Sequence, residues 1–464
     1  MNKNLLNVIL EQSYVLNKKL NELCNGPFPS TNIREFITEL CIINNKFIDL
    51  FTGQTNISQD LLKLYNEAFI SFYRLVMRAS YTDTHTHPIE VMIPVKEIVS
   101  QIAHDADFFT CPISDINYFV SEAWTSFNNT MKSLKIHDGT QKQRIVLGFP
   151  DLHKDNILLG CVMGHELGHF IDIFYNLGIT DRLLIEILKH KNMDSLKNYL
   201  SFDESTIPPD QIDNIKALAT RMLFSLKGLP LYNWLRELVA DACGILLYGL
   251  ASHLASEYVF MLFSISDKTH LKDQYTDSHP RKILRSKIKR FALEKYGFTD
   301  VISEEIKTEI GKWHSNWETA AQESFDKSIT IPLFGGINFS FQFNNNSLKL
   351  IEEMLEENLN LIVEEVAKIP NTIHYDSAIF NTVVPKLCDK LYNFIPPNEV
   401  DGAPADSISI LNAAWISYIT WKQNAPERYR DFKELELREI INNLTRKGIS
   451  AASIHRRWKN VSII

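Results

Sequence analysis

The stretch Gly164-His165-Glu166-Leu167-Gly168-His169 is an HExxH motif inside an apolar pattern of helical spacing. Residues four apart lie one turn above each other on an α-helix, so the imidazoles of His165 and His169 can face one metal ion. The carboxylate of Glu166 then lies beside the ion. In zinc hydrolases, two neutral histidines hold the ion and a neighbouring carboxylate takes a proton from the bound water. The motif therefore predicts a zinc site on a helix and points to hydrolysis.

The sequence around the motif favours a helix. Asp155-Asn156 is a candidate N-cap, and Gly178 is a natural C-terminal stop. Between these two signals the apolar residues recur near the helical period, at Ile157, Leu158, Cys161, Val162, Leu167 and Ile171. The alternative is a buried structural helix whose two histidines have ordinary hydrogen-bond partners.

A catalytic zinc ion normally has three protein ligands and an open fourth position, so the motif predicts a third ligand elsewhere. Glu237 and Asp241 meet this requirement, because they lie four residues apart in a strongly apolar segment. A carboxylate in such surroundings is costly unless it is engaged. We expect Glu237 to be the third ligand and Asp241 to accept the outward N–H of a ligating histidine, His165 in the first place. The alternative is an amphipathic helix whose acids face water.

A third element, His279-Pro280-Arg281-Lys282-Ile283-Leu284-Arg285, follows further along the chain. Taken in order, the motifs HExxH (165–169), ExxAD (237–241) and HPxxxxR (279–285) resemble the soluble catalytic core of the HtpX-like and CAAX-prenyl-endopeptidase family of gluzincin metallopeptidases. The resemblance covers about residues 140 to 292. The zinc ligands that it implies are His165, His169 and Glu237. It also implies that Glu166 is the general base, that Asp241 supports a ligand, and that His279 and Arg285 lie near the substrate or the transition-state oxygen.

By this resemblance the protein is expected to be a zinc-dependent endopeptidase that cleaves a protein or peptide substrate. Members of the family often carry transmembrane helices, but the longest apolar run here, 238–265, contains Asp241, His253 and Glu257 and is not expected to span a membrane. The substrate class is therefore not carried over. A competing hypothesis is a regulatory or binding protein that uses the zinc helix pair as a scaffold and acts through its flanking helices. A zinc amidohydrolase acting on a non-peptide bond has the same ligands.

Composition and charge exclude several classes. The 464 residues are 45% hydrophobic and 22% charged, an ordinary globular balance with room for two or three domains. A net charge of −8 disfavours a general nucleic-acid or anionic-membrane surface. The first twelve residues lack the apolar core and cleavage site of a secretory signal, so we expect a cytoplasmic protein. The 6 cysteines are scattered without a CxxC pair, which predicts neither a disulfide framework nor a thiolate zinc site.

The expected fold is mainly α with a small β component, an α+β protein with a zincin-like core flanked by helical regions. We divide the chain into a helical N-terminal region (1–140), the catalytic core (141–300) and a C-terminal region with a hairpin and helices (301–464). The run 144–149 is β-rich and ends at Pro150. It is either an edge strand that receives the substrate backbone or an ordinary strand.

Several weaker signals complete the sequence reading. A hairpin is predicted over 328–343 with Gly335-Gly336 at its turn, and an amphipathic helix over 346–368 that packs on the core or docks a regulatory partner. A short strand is expected at 89–93. His85 and His87 could bind a metal, although a surface loop is favoured. The hydroxyls of Tyr232 and Tyr275 are further candidate oxyanion donors, ranked below His279.

Overall fold

The computed structural model describes residues 2–28, 31–52, 58–82, 89–102, 107–113, 118–122, 129, 131–136, 144–173, 177–262, 264, 271–300, 302–334 and 337–461. Helices account for 70% of this part of the chain and strands for 9%, which confirms a mainly helical fold with a small β component. The chain forms two compact units, Met1–Ile157 and Leu158–Ile464. The three regions expected from the sequence do not coincide with these units, because 301–464 packs in one body with the motif helices.

The first unit combines helices with a small sheet. Its described elements are α1 (Asn2–Cys24), α2 (Thr31–Phe51), α3 (Gln59–Ser80), α4 (Met92–Ile102), β1 (Asp107–Ile113), β2 (Phe119–Glu122) and β3 (Arg144–Pro150). Within each helix the apolar residues recur at helical spacing, and they meet in a common core, for example Leu20 of α1, Leu40 of α2 and Val76 of α3. The strand expected at 89–93 is wrong, because the chain there makes a 3₁₀ turn (Ile89–Val91) that leads directly into α4.

The strand β3 lies in the centre of its sheet. It pairs in parallel with β1 and antiparallel with β2. Since both of its edges are paired, a substrate backbone cannot add to it, and the predicted substrate-binding edge at 144–149 is wrong. Gly148 serves packing instead, because a Cβ at this position would overlap the ring of Phe119 on the neighbouring strand. The ordinary strand that the sequence left open is the arrangement observed.

The second unit carries all three motifs. Its helices are α5 (Met163–Ile173), α6 (Ile179–Ile187), α7 (Met193–Leu196), α8 (Ile212–Phe224), α9 (Pro230–Tyr248), α10 (Leu250–Leu262), α11 (Lys282–Lys295), α12 (Glu304–Glu318), α13 (Asn345–Glu357), α14 (Leu359–Val366), α15 (Ser377–Tyr392), α16 (Ser407–Asn424) and α17 (Glu434–Val461). Its strands are β4 (Leu200–Ser201), β5 (Asp326–Phe334), β6 (Ile337–Asn344), β7 (Glu399–Val400) and β8 (Ala403–Pro404). The predicted hairpin is confirmed as β5 and β6, although its turn at 335–336 lies outside the described residues.

Element boundaries in this unit differ from the sequence expectation. The HExxH helix α5 begins only at Met163, after a 3₁₀ turn (Leu159–Val162). Gly178, expected to end that helix, precedes α6 in the left-handed conformation with φ of 56°. The apolar run 238–265 is divided at Gly249, where φ is 61°. None of the described helices is long and apolar enough to cross a membrane.

Helices α5 and α9 carry the HExxH and ExxAD motifs, and their backbones are in close contact. A Cβ at Gly168 would lie 2.8 Å from Cα of Ala240 and 2.9 Å from its carbonyl oxygen. A Cβ at Gly164 would lie 3.3 Å from Cα of Gly244. Small residues four apart on both helices therefore let the two backbones approach within the reach of their side chains.

The C-terminal part of the unit supports the motif helices. The Asn412 side chain of α16 donates to the carbonyl of Tyr248 at 2.9 Å and accepts from the N–H of Ala251 at 2.9 Å, so it bridges α9 and α10 across Gly249. The Trp415 indole donates to the carbonyl of Leu158 at 3.0 Å. Removal of 346–464 would therefore strip packing from the helices that carry the motifs.

The close contact of α5 and α9 gives a first prediction. Gly168→Ala should lower the free energy of unfolding by about 2–3 kcal/mol, because the new methyl group meets backbone atoms of α9 that cannot turn aside. Urea unfolding followed by circular dichroism measures the change. Gly160→Ala is the matched control, since nothing lies within 4 Å of a Cβ at that position. Its effect should stay within about 0.5 kcal/mol, and equal effects of the two variants would contradict the packing argument.

Candidate metal centre

The side chains of His165, His169 and Glu237 converge between α5 and α9. Nε2 of His165 lies 3.3 Å from Oε2 of Glu237, and Nε2 of His169 lies 3.2 Å from Oε1 of the same carboxylate. The three potential ligand atoms all lie within 4.8 Å of one another. All three residues are buried, with 8% exposure or less. The spacing of the two motifs therefore brings together the donors that the sequence singled out.

The geometry of these donors fits zinc. Zinc bonds to nitrogen and oxygen of about 2.0–2.1 Å place neighbouring ligands of a tetrahedral ion about 3.3 Å apart. The two histidine-to-carboxylate separations have this size. Two histidines and one glutamate form a donor set of catalytic zinc, with the fourth position left for water or substrate. Within the described part of the chain, this is the one group of three or more such side chains close enough to hold an ion.

Asp241 engages the outward nitrogen of His165. Its Oδ1 lies 3.0 Å from Nδ1 of the ring, whose Nε2 faces Glu237. A carboxylate in this position fixes the tautomer that presents Nε2 to a metal. Asp241 is 1% exposed, so the alternative in which the two acids of α9 face water is wrong.

Arg285, on α11, balances the buried carboxylates. Its Nε lies 2.7 Å from Oδ2 of Asp241 and its Nη2 lies 2.9 Å from Oδ1, a bidentate pair. The same Nη2 lies 3.4 Å from Oε2 of Glu237. It is 3.2 and 3.3 Å from the two ring nitrogens of His165, which places it over the face of the ring. Arg285 is 8% exposed, and it contacts Asp241 as well as two of the candidate ligands, Glu237 and His165.

The electrostatics of the cluster favour a charged His165. Burial and the neighbouring Arg285 lower the pKa of His165, but the charge and hydrogen bond of Asp241 outweigh them and raise it to about 9. Burial would raise the pKa of Glu237, yet His169 and His165 hold it well below its usual value. Arg285 likewise keeps the pKa of Asp241 low against the effect of burial. A metal ion must therefore displace a proton from His165 at neutral pH.

Glu166 and His279 are the two remaining residues for which the sequence predicts a catalytic role. Glu166 follows His165 on α5 and is 8% exposed; among the described residues it makes no hydrogen bond or ion pair. The His279 side chain is 54% exposed, and its Nε2 lies 3.7 Å from Oε2 of Glu237. Its Nδ1 lies 2.8 Å from Oγ of Ser278. The site thus has a recessed carboxylate and an exposed imidazole next to its donors.

A clamp of aromatic and charged side chains holds the segment that carries His279. The Tyr275 ring stacks on Trp234 with centroids 5.6 Å apart, and its hydroxyl donates to Oε2 of Glu352 at 2.8 Å. Arg281 donates to the same carboxylate, with Nε 3.1 Å from Oε1. Because Glu352 engages the Tyr275 hydroxyl, that group fixes the segment and is not available to an oxyanion.

Sequence reasoning missed residues that hold the site without touching the donors. These are the small residues between α5 and α9 and the clamp residues Trp234 and Glu352. The small residues had a visible signal, because both motifs contain them four apart, as Gly164 with Gly168 and Ala240 with Gly244. The clamp had none, because Glu352 is distant in sequence. His85 and His87, the weaker metal candidates, lie outside the described residues.

Comparison with known proteins returns no match among family models, curated proteins or solved structures.

The raised pKa of His165 predicts a pH-dependent affinity for zinc. Zinc binds the neutral imidazole, so the affinity should rise about tenfold per pH unit from pH 7 and level off near the pKa of about 9. Competition with a chelator of known affinity measures this slope. Asp241→Asn removes the charge that raises the pKa, so its curve should level off at lower pH. An affinity that stays constant from pH 7 to 9 in the unmodified protein would contradict the assignment.

Proposed function

We propose that the protein is a zinc-dependent endopeptidase that hydrolyses peptide bonds of a protein substrate. The observation that carries the proposal is the convergence of two imidazoles and one carboxylate at 3.2–3.3 Å with an unengaged carboxylate, Glu166, next to them. The zinc ligands would be His165, His169 and Glu237. The chemistry that a bound zinc ion would supply there is polarisation of the scissile carbonyl and a lowered pKa of water.

Glu166 is the proposed general base. It accepts a proton from water and later delivers it to the leaving amine. A base must be available at the moment of reaction, and Glu166 has no competing partner among the described residues. It follows His165 directly on α5, and its charge acts on Arg285, which also contacts Glu237 and His165.

His279 is the proposed donor to the oxyanion. Its backbone is fixed by Thr276, whose Oγ1 accepts from the N–H of His279 at 2.9 Å and donates to its carbonyl at 2.9 Å. Exposure of the ring leaves Nε2 accessible to a bound substrate. Arg285 supports this chemistry indirectly, because it holds Asp241 and thereby the ring of His165.

A regulatory or binding protein that uses the zinc helix pair as a scaffold is the second candidate. Most of the chain lies outside residues 140 to 292, which carry the motifs, and the helices of these flanking regions could bind a regulatory partner. This favours the second candidate. The same helices could instead restrict access to the site, as a cytoplasmic protease would need. A zinc amidohydrolase shares the ligand set, and the order of the three motifs supports the endopeptidase over it.

Replacement of the general base separates these functions. Glu166→Gln should reduce the kcat for cleavage of a peptide substrate by at least about a hundredfold, because the amide cannot take the proton, while zinc remains bound. Cleaved protein termini in cells with the wild type and with Glu166→Gln identify the substrates. Asp172→Asn is a suitable control: this buried carboxylate of α5 caps α6 through the N–H of Thr180 at 3.0 Å and is no part of the site.

Unchanged turnover in Glu166→Gln with zinc present would refute the assigned role. Retention of the full biological effect by that variant would favour the scaffold function.

The proposed oxyanion donor has its own test. His279→Ala should lower kcat by about 10²–10³ with little change in zinc affinity, because the donor acts on the developing charge and not on the ion. Steady-state kinetics together with zinc titration measure the two quantities. Ser278→Ala, which removes only the neighbouring hydroxyl, should retain most of the activity. A loss of zinc in His279→Ala would show that His279 belongs to the ligand set.

A further inference from the structure

A second cluster of charged side chains lies buried between α10, α11 and α12. Lys289, Glu257 and His253 each have 0% exposure. The Lys289 ammonium lies 3.5 Å from Oε1 of Glu257, and the Trp317 indole donates to Oε2 of Glu257 at 2.7 Å. The metal chemistry proposed above uses none of these groups.

The cluster is joined to the metal centre through Phe260 and Arg285. Arg285 and Lys289 lie one turn apart on α11, and both cations face the ring of Phe260, with centroid distances of 4.7 Å to Cζ and 3.9 Å to Nζ. Cations over an aromatic face are attracted by its quadrupole, and more strongly in a desolvated site. The charge of Lys289 also helps Arg285 to keep the pKa of Asp241 low. Arg285 and Lys289 are therefore coupled in two ways: both contact the ring of Phe260, and the charges of both act on the carboxylate of Asp241.

Stability does not account for this cluster. The Lys289 ammonium forms no hydrogen bond with the described residues, and neither do the two ring nitrogens of His253. Buried ion pairs are often matched or exceeded in stability by apolar residues of similar volume. Burial lowers the pKa of Lys289, with Glu257 and Asp241 opposing the effect. Burial of the Lys289 ammonium is costly, and its charge acts on Asp241. Both facts point to a role of Lys289 in the adjacent metal centre.

We infer that Lys289, held by Glu257, is a positioning residue for the metal centre. Together with Phe260 it keeps Arg285 aligned on Asp241, and Asp241 in turn keeps His165 turned towards the ion. The inference rests on the proposed zinc site, and it places Lys289, Glu257 and Phe260 behind Arg285 and Asp241 as groups that keep the ligands in position.

The test removes both charges of the pair at once. Lys289→Met combined with Glu257→Gln leaves no unpaired buried charge and retains an acceptor for Trp317. The full-length double variant should bind zinc about tenfold more weakly than the wild type, the size of effect seen when groups behind metal ligands are changed. Its metal-free stability should be equal or higher. Chelator competition gives the affinity, and the visible spectrum of the Co²⁺-loaded protein reports a changed ligand geometry.

Two single variants make the test decisive. His253→Leu changes packing in the same layer without removing a charge, and its zinc affinity and Co²⁺ spectrum should match those of the wild type. Phe260→Leu removes the shared ring without unpairing a charge, so it should weaken zinc binding by about threefold and serves if the double variant does not fold.

The outcomes separate this inference from the function on which it rests. Wild-type affinity in both the double variant and Phe260→Leu would overturn the positioning role while leaving the zinc site intact. An equal loss in His253→Leu would also overturn it, because packing and not charge would then be responsible. A wild-type protein that binds no zinc would refute the proposed function and this inference together.

Discussion

The close approach of α5 and α9 is the constraint on which the site depends. Two pairs of small residues allow it, and a single methyl group at Gly168 would already lie 2.8 Å from the backbone of its neighbour. The ligand separations of 3.2 and 3.3 Å exist only at this helix spacing. The glycines that flank the two histidines are therefore as necessary to the geometry as the histidines are.

Charge compensation makes this arrangement tolerable in a buried setting. Two carboxylates, Glu237 and Asp241, lie within one turn of α9 with 3% and 1% exposure. Burial alone would drive both to take up protons. The bidentate contact of Arg285 with Asp241, and the two imidazoles around Glu237, keep the pKa of each carboxyl group low instead. The lowered pKa of each carboxyl group favours the charged form that a divalent cation requires, and the raised pKa of His165 favours a proton on that ring.

The sequence predicted the local part of this structure well. Helical spacing places His165 above His169 and Glu237 above Asp241, because that relation depends only on residues one turn apart. It could not predict that β3 lies between two other strands, since a β-rich run contains no information on its neighbours. The helix predicted over 346–368 breaks at Asn358, whose side chain donates to the carbonyl of Met354, and the apolar run divides at Gly249, where φ is positive; both are local signals that the sequence reading missed. Features that depend on distant residues, such as the Glu352 clamp, had no local signal.

The distribution of exposure around the site favours hydrolysis over a scaffold role. A structural zinc ion is usually closed by four protein ligands, whereas the described residues supply three, and the neighbouring Glu166 makes no hydrogen bond or ion pair with the described residues. The half-exposed His279 ring next to the recessed donors adds a group that a substrate can reach. In the proposed function, the open coordination position, the Glu166 carboxylate and the exposed His279 ring together supply what hydrolysis of a carbonyl compound needs, and a scaffold requires none of the three.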